Sequence, residues 1–346
     1  MLMWRWMRCL VVVGFAAGIG CGERPAAAPA PASPPPAQAA SEPAKQESQP
    51  EQELSQPEKL STKHLPNAVR VHTKVISGGL PDGAAGFAEL QALGVKTVIS
   101  VDAAKPDVAL AEKHGLRYVH LPHSYDGIPD QRALELAKAV SELPGPIYIH
   151  CHHGKHRSPA AAAVACLGAG MIDRHVADQT LEIAGTSPNY RGLYQATAAA
   201  QKIEAEKLAA LPANFPATVE PSPMEEAMGM LEHTHDHVKQ LAANDWKMLA
   251  KLPDLDAPHE ALLLREHYTE MLRTDETRAQ PEEFQQLMRE GEAAALALEQ
   301  ALNDWHKAGR PAVAPAAAKE AFEQVTKNCK ACHERFRDVP LSEKQK

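Results

Sequence analysis

The sequence lacks three features that would each point to a common class of protein. Only 5% of its 346 residues are aromatic, and with its many alanines and prolines this favours helical bundles and an unstructured tract over an all-β protein. Its formal net charge is −8, so it lacks the positive field of a typical nucleic-acid-binding protein. Its six cysteines fall in different local contexts and do not form the pattern of a disulfide framework. The length allows two or three domains.

The N-terminal segment, residues 1–21, has the composition of an export signal. Two arginines precede an apolar run at 9–19 that is too short to span a bilayer comfortably. The stretch Gly18-Ile19-Gly20-Cys21 resembles a relaxed bacterial lipoprotein box, although glycine replaces the usual leucine, and the resemblance implies lipidation of Cys21. The alternative is cleavage near Ala26-Ala27-Ala28, which would release a soluble secreted protein. We expect a periplasmic or other extracytoplasmic lipoprotein, held at the membrane by its N-terminal lipid.

Composition divides the rest of the chain into four parts. Residues 22–61 are rich in proline, alanine and polar residues and predict a disordered linker. Residues 62–207 alternate strand and helix candidates, with Val69–Ile76 predicted as one strand, and indicate an α/β domain with a mainly parallel sheet flanked by helices. Prolines return in a second linker at 208–222. Over 223–340, apolar residues recur with the alternating spacing of an all-α four-helix bundle.

The strongest chemical signal is the segment His150-Cys151-His152-His153-Gly154-Lys155-His156-Arg157-Ser158. It follows a predicted strand and opens a helix, so its backbone N–H groups converge on an anion and favour the thiolate of Cys151 as a nucleophile. Arg157 can bind two phosphoryl oxygens, and Ser158 is placed to hydrogen-bond the sulfur when it leaves. Gly154 permits a backbone conformation that a Cβ would obstruct. These residues predict a phosphate-binding loop with a catalytic cysteine.

This segment matches the His-Cys-x-x-Gly-x-x-Arg-Ser signature and resembles the dual-specificity branch of the protein tyrosine phosphatases. The resemblance covers about 66–205, including the segments Ile76–Pro81, Leu93–Ile99 and Tyr118–Pro122. It implies a phosphoric monoester hydrolase that acts through a cysteinyl-phosphate intermediate on a phosphorylated protein or small molecule. It also implies an aspartic acid, on a separate loop, that protonates the leaving oxygen. Asp126 follows the predicted strand Leu116–Leu121 and is the first candidate; Asp130 is the second, although it is better placed as a helix N-cap.

The loop departs from the common pattern by carrying three imidazoles, on His152, His153 and His156, beside Lys155. Such a cluster can bind a metal ion, but a loop wrapped around phosphate leaves few side chains convergent. We therefore interpret these residues as solvated groups that face the substrate. Their partial protonation is expected to make activity sensitive to pH below neutrality.

A second motif, Cys329-Lys330-Ala331-Cys332-His333, has the Cys-x-x-Cys-His pattern of c-type haem attachment. Both thiols lie on one helical face, where they can reach the two vinyl groups, and His333 can ligate the iron from the proximal side. With the export signal and the four-helix pattern, it resembles the cytochrome c′ and c-556 family over about 222–340. The resemblance implies covalent haem c. The sixth iron position is left open between His235, Met228 and a gas-accessible site.

Two functions follow from the whole sequence. The first is an exported, lipid-anchored phosphatase whose haem domain senses redox state or a gas, transfers electrons to a redox partner, or acts independently on the same tether. The alternative is a haem-binding electron-transfer protein in which the phosphatase-like module only binds anions. The complete set of Cys151, Arg157 and Ser158 favours catalysis, while the physiological substrate is left open.

Overall fold

The computed structural model describes residues 56–212 and 214–344. The predicted signal, Cys21 and most of the 22–61 linker lie outside the described residues. The last residues of that linker are structured, because Glu58 and Lys59 form a short strand that pairs with Arg70 and Val69. The prediction that the disordered tract extends to residue 61 is therefore wrong at its C-terminal end.

The N-terminal part of the described chain contains a mixed sheet of six strands, ordered β1-β2-β3-β6-β4-β5. The strands are β1 (Glu58–Lys59), β2 (Val69–His72), β3 (Val75–Gly78), β4 (Thr97–Ser100), β5 (Arg117–His120) and β6 (Ile147–His150). The last four strands in that order run parallel, whereas β1 and β2 pair antiparallel. The predicted single strand Val69–Ile76 is two strands, because the chain reverses at Thr73 and Lys74.

Helices cover both faces of this sheet. They are α1 (Gly83–Ala92), α2 (Val108–Lys113), α3 (Asp130–Glu142), α4 (Arg157–Gly168), α5 (Arg174–Ala184), α6 (Arg191–Ala199) and α7 (Ala205–Ala210). Every residue of α4 is buried, and its alanines let it pack closely against α3 and α5. On the opposite face, Phe87 and Leu90 of α1 pack with Ile76, Val98 and Tyr148 of the sheet. The central strand β6 is therefore apolar on both faces, as a buried parallel strand should be.

The C-terminal part is helical. It contains α8 (Pro223–Ala243), α9 (Ala257–Arg273), α10 (Asp275–Arg278), α11 (Glu282–Lys307) and α12 (Ala316–Cys332), followed by a π-helical turn (His333–Arg337). Four of these helices are long, and α9 packs on α8 and α11 while α11 packs on α12. Ser222 starts α8 with a reciprocal capping box to Glu225. Between residues 56 and 344, excluding 213, no helix is long and apolar enough to cross a membrane.

The parallel strands fix where chemistry can occur. Their carboxyl ends lie at one edge of the sheet, and the loops after β3, β4, β5 and β6 start there. Ligand sites in open parallel sheets form at this edge because the connecting loops converge outside it. The cysteine loop is the connection from β6 to α4.

Candidate active site

The cysteine loop is held against the turn that follows β3. Gly154 has a φ of +71°, and a Cβ there would lie 2.4 Å from the backbone nitrogen of Gly79. The backbone N–H of Leu80 donates to the carbonyl of His152 at 3.0 Å, and the Asn67 amide donates to the carbonyl of Gly154 at 2.8 Å. Only glycine satisfies both the left-handed backbone and the close approach at position 154.

Cys151 lies at the base of this loop and is 3% exposed. Its Sγ is 3.3 Å from Ser158 Oγ, and the Ser158 hydroxyl donates to the carbonyl of Gly78 at 2.8 Å. A hydroxyl has one hydrogen, so Ser158 can serve either the carbonyl or a sulfur anion by rotating about one bond. The first turn of α4 begins at Arg157, which places the partial positive charge of a helix N-terminus beside the sulfur.

Arg157 is buried and has two distinct edges. Its two terminal nitrogens donate to the carboxylate of Asp102 at 3.2 and 3.1 Å. Its Nε–H is buried and has no hydrogen-bond partner in the described part of the chain. The guanidinium also lies 4.5 Å from the centre of the Tyr125 ring. Burial opposes the charge, but Asp102 outweighs burial and raises the pKa of Arg157. A fixed cation with a free donor is therefore present beside the cysteine.

Asp102 was not selected from the sequence. It lies two residues beyond β4, at the edge where the loops converge, and its side chain is 15% exposed. Burial alone would raise its pKa, but Arg157 and the backbone N–H of Ala104 favour the carboxylate, and the net pKa is lowered. A charged residue directly after a predicted parallel strand was the available signal. The sequence did not show that it faces Arg157, which is 55 residues away.

The two acid candidates lie in different surroundings. Asp126 is 8% exposed in the loop between β5 and α3, directly after Tyr125. Its carboxylate pairs with the ammonium of Lys344 at 2.6 Å, and its carbonyl accepts from Leu341 N–H at 2.9 Å. Asp130 is exposed and is the first residue of α3. The N-cap is Pro129, and Asp130 makes no capping bond, so the N-cap interpretation was wrong.

Two of the three loop imidazoles, those of His153 and His156, resist protonation. Burial, followed by nearby Lys155, lowers the pKa of His156 to about 4, and its Nδ1 accepts from Ser187 N–H at 3.2 Å. Burial and then His152 lower the pKa of His153. The pH sensitivity expected just below neutrality therefore moves to more acidic pH for these two groups. His150 is fully buried, lies 2.5 Å from the Tyr118 hydroxyl, and has a pKa lowered by burial to about 4.

The Cys-x-x-Cys-His motif closes the last long helix. Cys329 and Cys332 lie in the final turn of α12 and are free thiols, and the Cys329 Sγ is 3.2 Å from the Tyr268 hydroxyl. The Tyr268 ring packs directly on Gly291, because a Cβ at position 291 would lie 2.5 Å from that ring. Burial, followed by Arg337, lowers the pKa of His333 to about 3, which leaves the neutral imidazole that ligates iron. Two thiols and a neutral imidazole on consecutive turns fit haem attachment.

The two candidate sixth ligands differ in their contacts. His235 Nε2 lies 3.2 Å from Thr326 Oγ1, and its ring centroid is 5.1 Å from that of Phe322. Met228 is half-buried and packs on the apolar cluster that contains Cys332. His235 is therefore engaged with α12 seven residues before His333.

The segment after the haem motif reaches the phosphatase side. The Arg337 guanidinium lies 4.2 Å from the centre of the Tyr125 ring and 5.9 Å from that of Tyr190. Arg337 also pairs with Asp338 at 2.7 Å. Further along, Glu343 forms an ion pair with Arg191 at 2.7 Å. Sequence reasoning gave no signal for the contacts with Tyr125, Tyr190 and Arg191, since they join residues more than 140 positions apart.

The two halves of the described chain are similar to different known proteins. Residues 221–337 match the family model described as Cytochrome C', which supports haem binding. The dual specificity protein phosphatase TpbA of Pseudomonas aeruginosa is 30% identical over 121 residues, a match that covers 34% of this chain and 55% of that protein. The match thus spans little more than half the length of this curated relative.

Two solved structures are also similar. The crystal structure of P. aeruginosa TpbA with phosphotyrosine has 26% identity and a TM-score of 0.34, and covers 41% of this chain and 87% of that one. The core catalytic domain of the PP-IP phosphatase SIW14 from Saccharomyces cerevisiae, with citrate, has 18% identity and a TM-score of 0.36, and covers 45% and 100%. By the sequence matches alone, the chain joins a phosphatase-like domain to a region that matches the cytochrome c′ family.

Proposed function

We propose that this protein hydrolyses phosphate monoesters through a cysteinyl-phosphate intermediate. The observation that carries the proposal is the buried Arg157 guanidinium beside Cys151. Asp102 fixes one edge of it, while the Nε–H on another edge meets no acceptor among residues 56–212 and 214–344. A buried donor without a partner is costly, and a phosphoryl oxygen would satisfy it with a charge-assisted hydrogen bond.

The chemistry would proceed in two displacements. The Cys151 thiolate attacks phosphorus, the bond to the leaving oxygen breaks, and Asp126 gives that oxygen a proton. Water then attacks the cysteinyl-phosphate, gives a proton to Asp126, and releases phosphate with return of the sulfur anion. Ser158, 3.3 Å from the sulfur, would donate to that anion in the second step. Asp126 is tied to Lys344, so the acid acts only when this pair opens.

We propose that the helical domain carries covalent haem c, with thioether bonds to Cys329 and Cys332 and with His333 as the proximal ligand. When bound, the haem would supply redox or gas-binding chemistry. The successive packing of α8, α9, α11 and α12 favours an up-and-down bundle in which α8 runs antiparallel to α12. His235 of α8 lies beside Thr326 of α12. In antiparallel helices, the residue seven positions before His235 lies near the residue seven positions after Thr326. This pairs Met228, rather than His235, with His333.

Met228→Ala and His235→Ala test this register in the haem-loaded chain. We expect the Met228 substitution to shift the absorption spectrum of the iron and to change its affinity for carbon monoxide. His235→Ala should leave both unchanged. A spectral change that follows His235 alone would contradict the register.

We further infer that the haem domain influences the phosphatase. Arg337 follows the proximal histidine by four residues and contacts Tyr125, next to the candidate acid. Lys344 pairs with Asp126 itself. A shift of the π-helical turn on haem reduction or gas binding would therefore be transmitted to the acid loop. The proposal also includes export and lipidation of Cys21, which incorporation of labelled palmitate in wild type but not in Cys21→Ser would test.

The central experiment measures hydrolysis of para-nitrophenyl phosphate by the full chain. Cys151→Ser is expected to lower kcat/KM by at least about 10³-fold, because the nucleophile is lost. Cys166→Ala is the matched control: Cys166 is fully buried on α4, and burial raises the pKa of its thiol to about 12. Activity that survives Cys151→Ser would contradict the role assigned to this cysteine, and a wild type without activity would leave only the alternative, a haem protein with an anion-binding module. Activity equal with oxidised and reduced haem would leave two independent modules.

A further inference from the structure

The phosphate loop and the first bundle helix bring three metal-ligating side chains together. His152 and His153 of the loop and Asp236 of α8 each offer one ligand atom, and these atoms all lie within 4.8 Å of one another. Of the three loop imidazoles only these two belong to the cluster, and two ligands are too few for a specific site. The third group comes from a helix more than 80 residues further along the chain, so only the tertiary structure reveals the cluster.

The chemistry of the three groups indicates the class of metal. Two imidazole nitrogens and one carboxylate oxygen form a common ligand set for Zn²⁺ and related divalent transition metals, with a fourth position left for water. A zinc ion with bonds of about 2.0–2.2 Å holds its ligand atoms roughly 3.4 Å apart. Closing the cluster from its present spacing thus needs side-chain shifts of about 1 Å, within the reach of half-exposed groups.

We propose that His152, His153 and Asp236 form a site for a divalent transition-metal ion of the Zn²⁺ class. The imidazole rings of the two histidines already meet edge to face, with centroids 4.4 Å apart. His153 is exposed and the other two residues are half-buried, so an ion can enter from solvent. Glu232, one turn before Asp236 on α8, adds a second negative charge that acts on His153. The negative charges on α8 oppose the repulsion that a dication would meet from Lys155.

The site joins the two halves of the described chain. Its histidines belong to the loop that holds Cys151, and its carboxylate belongs to the bundle. An ion that needs all three ligands binds only when α8 lies against the loop, so it stabilises that arrangement by mass action. This inference does not rest on phosphatase activity or on haem chemistry, since it concerns metal binding alone.

Zinc titration of the full chain, by calorimetry and by equilibrium dialysis, tests the site. His152→Ala, His153→Ala and Asp236→Ala are each expected to weaken this site by at least about tenfold, because even outer-shell partners contribute about 10–100-fold to metal affinity. His259→Ala is the matched control, since His259 is an exposed histidine on α9 outside the cluster. The zinc affinity of the His259→Ala protein should equal that of wild type. Circular dichroism of the metal-free variants checks that each is folded.

Asp236 decides between a bridging site and a simpler one. Zinc that binds Asp236→Ala as tightly as wild type would overturn the proposal, whether the two loop histidines or the thiols of Cys329 and Cys332 hold it. The proposal would also be overturned if His152→Ala weakened no zinc site of the protein. As a second readout, zinc should protect the 208–222 connection from proteolysis in wild type and not in Asp236→Ala. Protection that persists in the variant would also count against the bridge.

Discussion

Replacing Asp102 by asparagine removes the charge that holds Arg157 and keeps the size of the side chain. Breaking a buried ion pair at one partner costs about 3–5 kcal/mol, because the other charge stays buried without compensation. The side chains of Arg157 and Asp102 are 7% and 15% exposed. We therefore expect the free energy of unfolding to fall by an amount near the lower end of that range. We also expect kcat/KM to fall by about 100-fold, since a misplaced guanidinium no longer meets the phosphoryl group.

The dependence on pH and phosphate distinguishes this explanation from general damage. The folded-state pKa of Asp102 is lowered, so its stabilising effect is present above the unfolded pKa of about 3.9 and is lost as pH falls through the folded value. The stability difference between wild type and variant should therefore be constant from pH 5 to 8 and shrink below pH 4. Phosphate or vanadate should stabilise the variant more than wild type, because the anion supplies the missing partner.

Urea unfolding across this pH range, with and without added vanadate or phosphate, measures both effects. Asp178→Asn, at an exposed position on α5, is the control and should change neither stability nor rate. An Asp102→Asn protein with unchanged stability and rate would refute the role assigned to the pair. A variant that is destabilised equally at pH 7 and pH 3 would show that Asp102 acts through packing and not through its charge.

Three further predictions follow from the same contacts. Lys344→Met removes the ion-pair partner of Asp126, and a half-exposed pair of this kind is worth about 0.2–1 kcal/mol. Turnover of phenyl phosphate should therefore rise by up to about fivefold, while turnover of para-nitrophenyl phosphate changes less. An unchanged ratio of the two turnover rates would contradict this prediction. Ser158→Ala should slow hydrolysis of the intermediate, seen as phosphocysteine that accumulates in rapid-quench samples, and a slower first step with no accumulation would contradict that role. Burial lowers the pKa of His123 and of His150 to about 4, so each neutral imidazole stabilises the fold above the unfolded pKa of about 6.5. Each histidine should therefore lower the free energy of unfolding by about 2 kcal/mol between neutral pH and pH 5, as measured by urea unfolding. His150→Gln should reduce this dependence on pH.

Local sequence was sufficient where spacing along the chain defines a site. A strand, a turn that needs glycine and a helix N-terminus follow one another within 150–158, so the loop could be predicted from residue order. The Cys-x-x-Cys-His motif is local in the same sense. The strand at Val69–Ile76 was misassigned because its β-branched residues continue through the reversal at Thr73 and Lys74, which breaks no pattern in the sequence. Asp130 was misassigned because Pro129 takes the cap position.

The sequence by itself determined the identities of the reactive groups, because a cysteine six residues before Arg157, or three before Cys332, is fixed by covalent order. Only the tertiary structure decided which distant groups face them. Asp102 reaches Arg157 because β4 and β6 are neighbours in the sheet, and Arg337, Lys344 and Asp236 meet the loops because the helical region folds back on them. Such contacts depend on how two apolar cores are packed. The hydrophobic pattern that forms those cores does not predict which polar side chains meet between them.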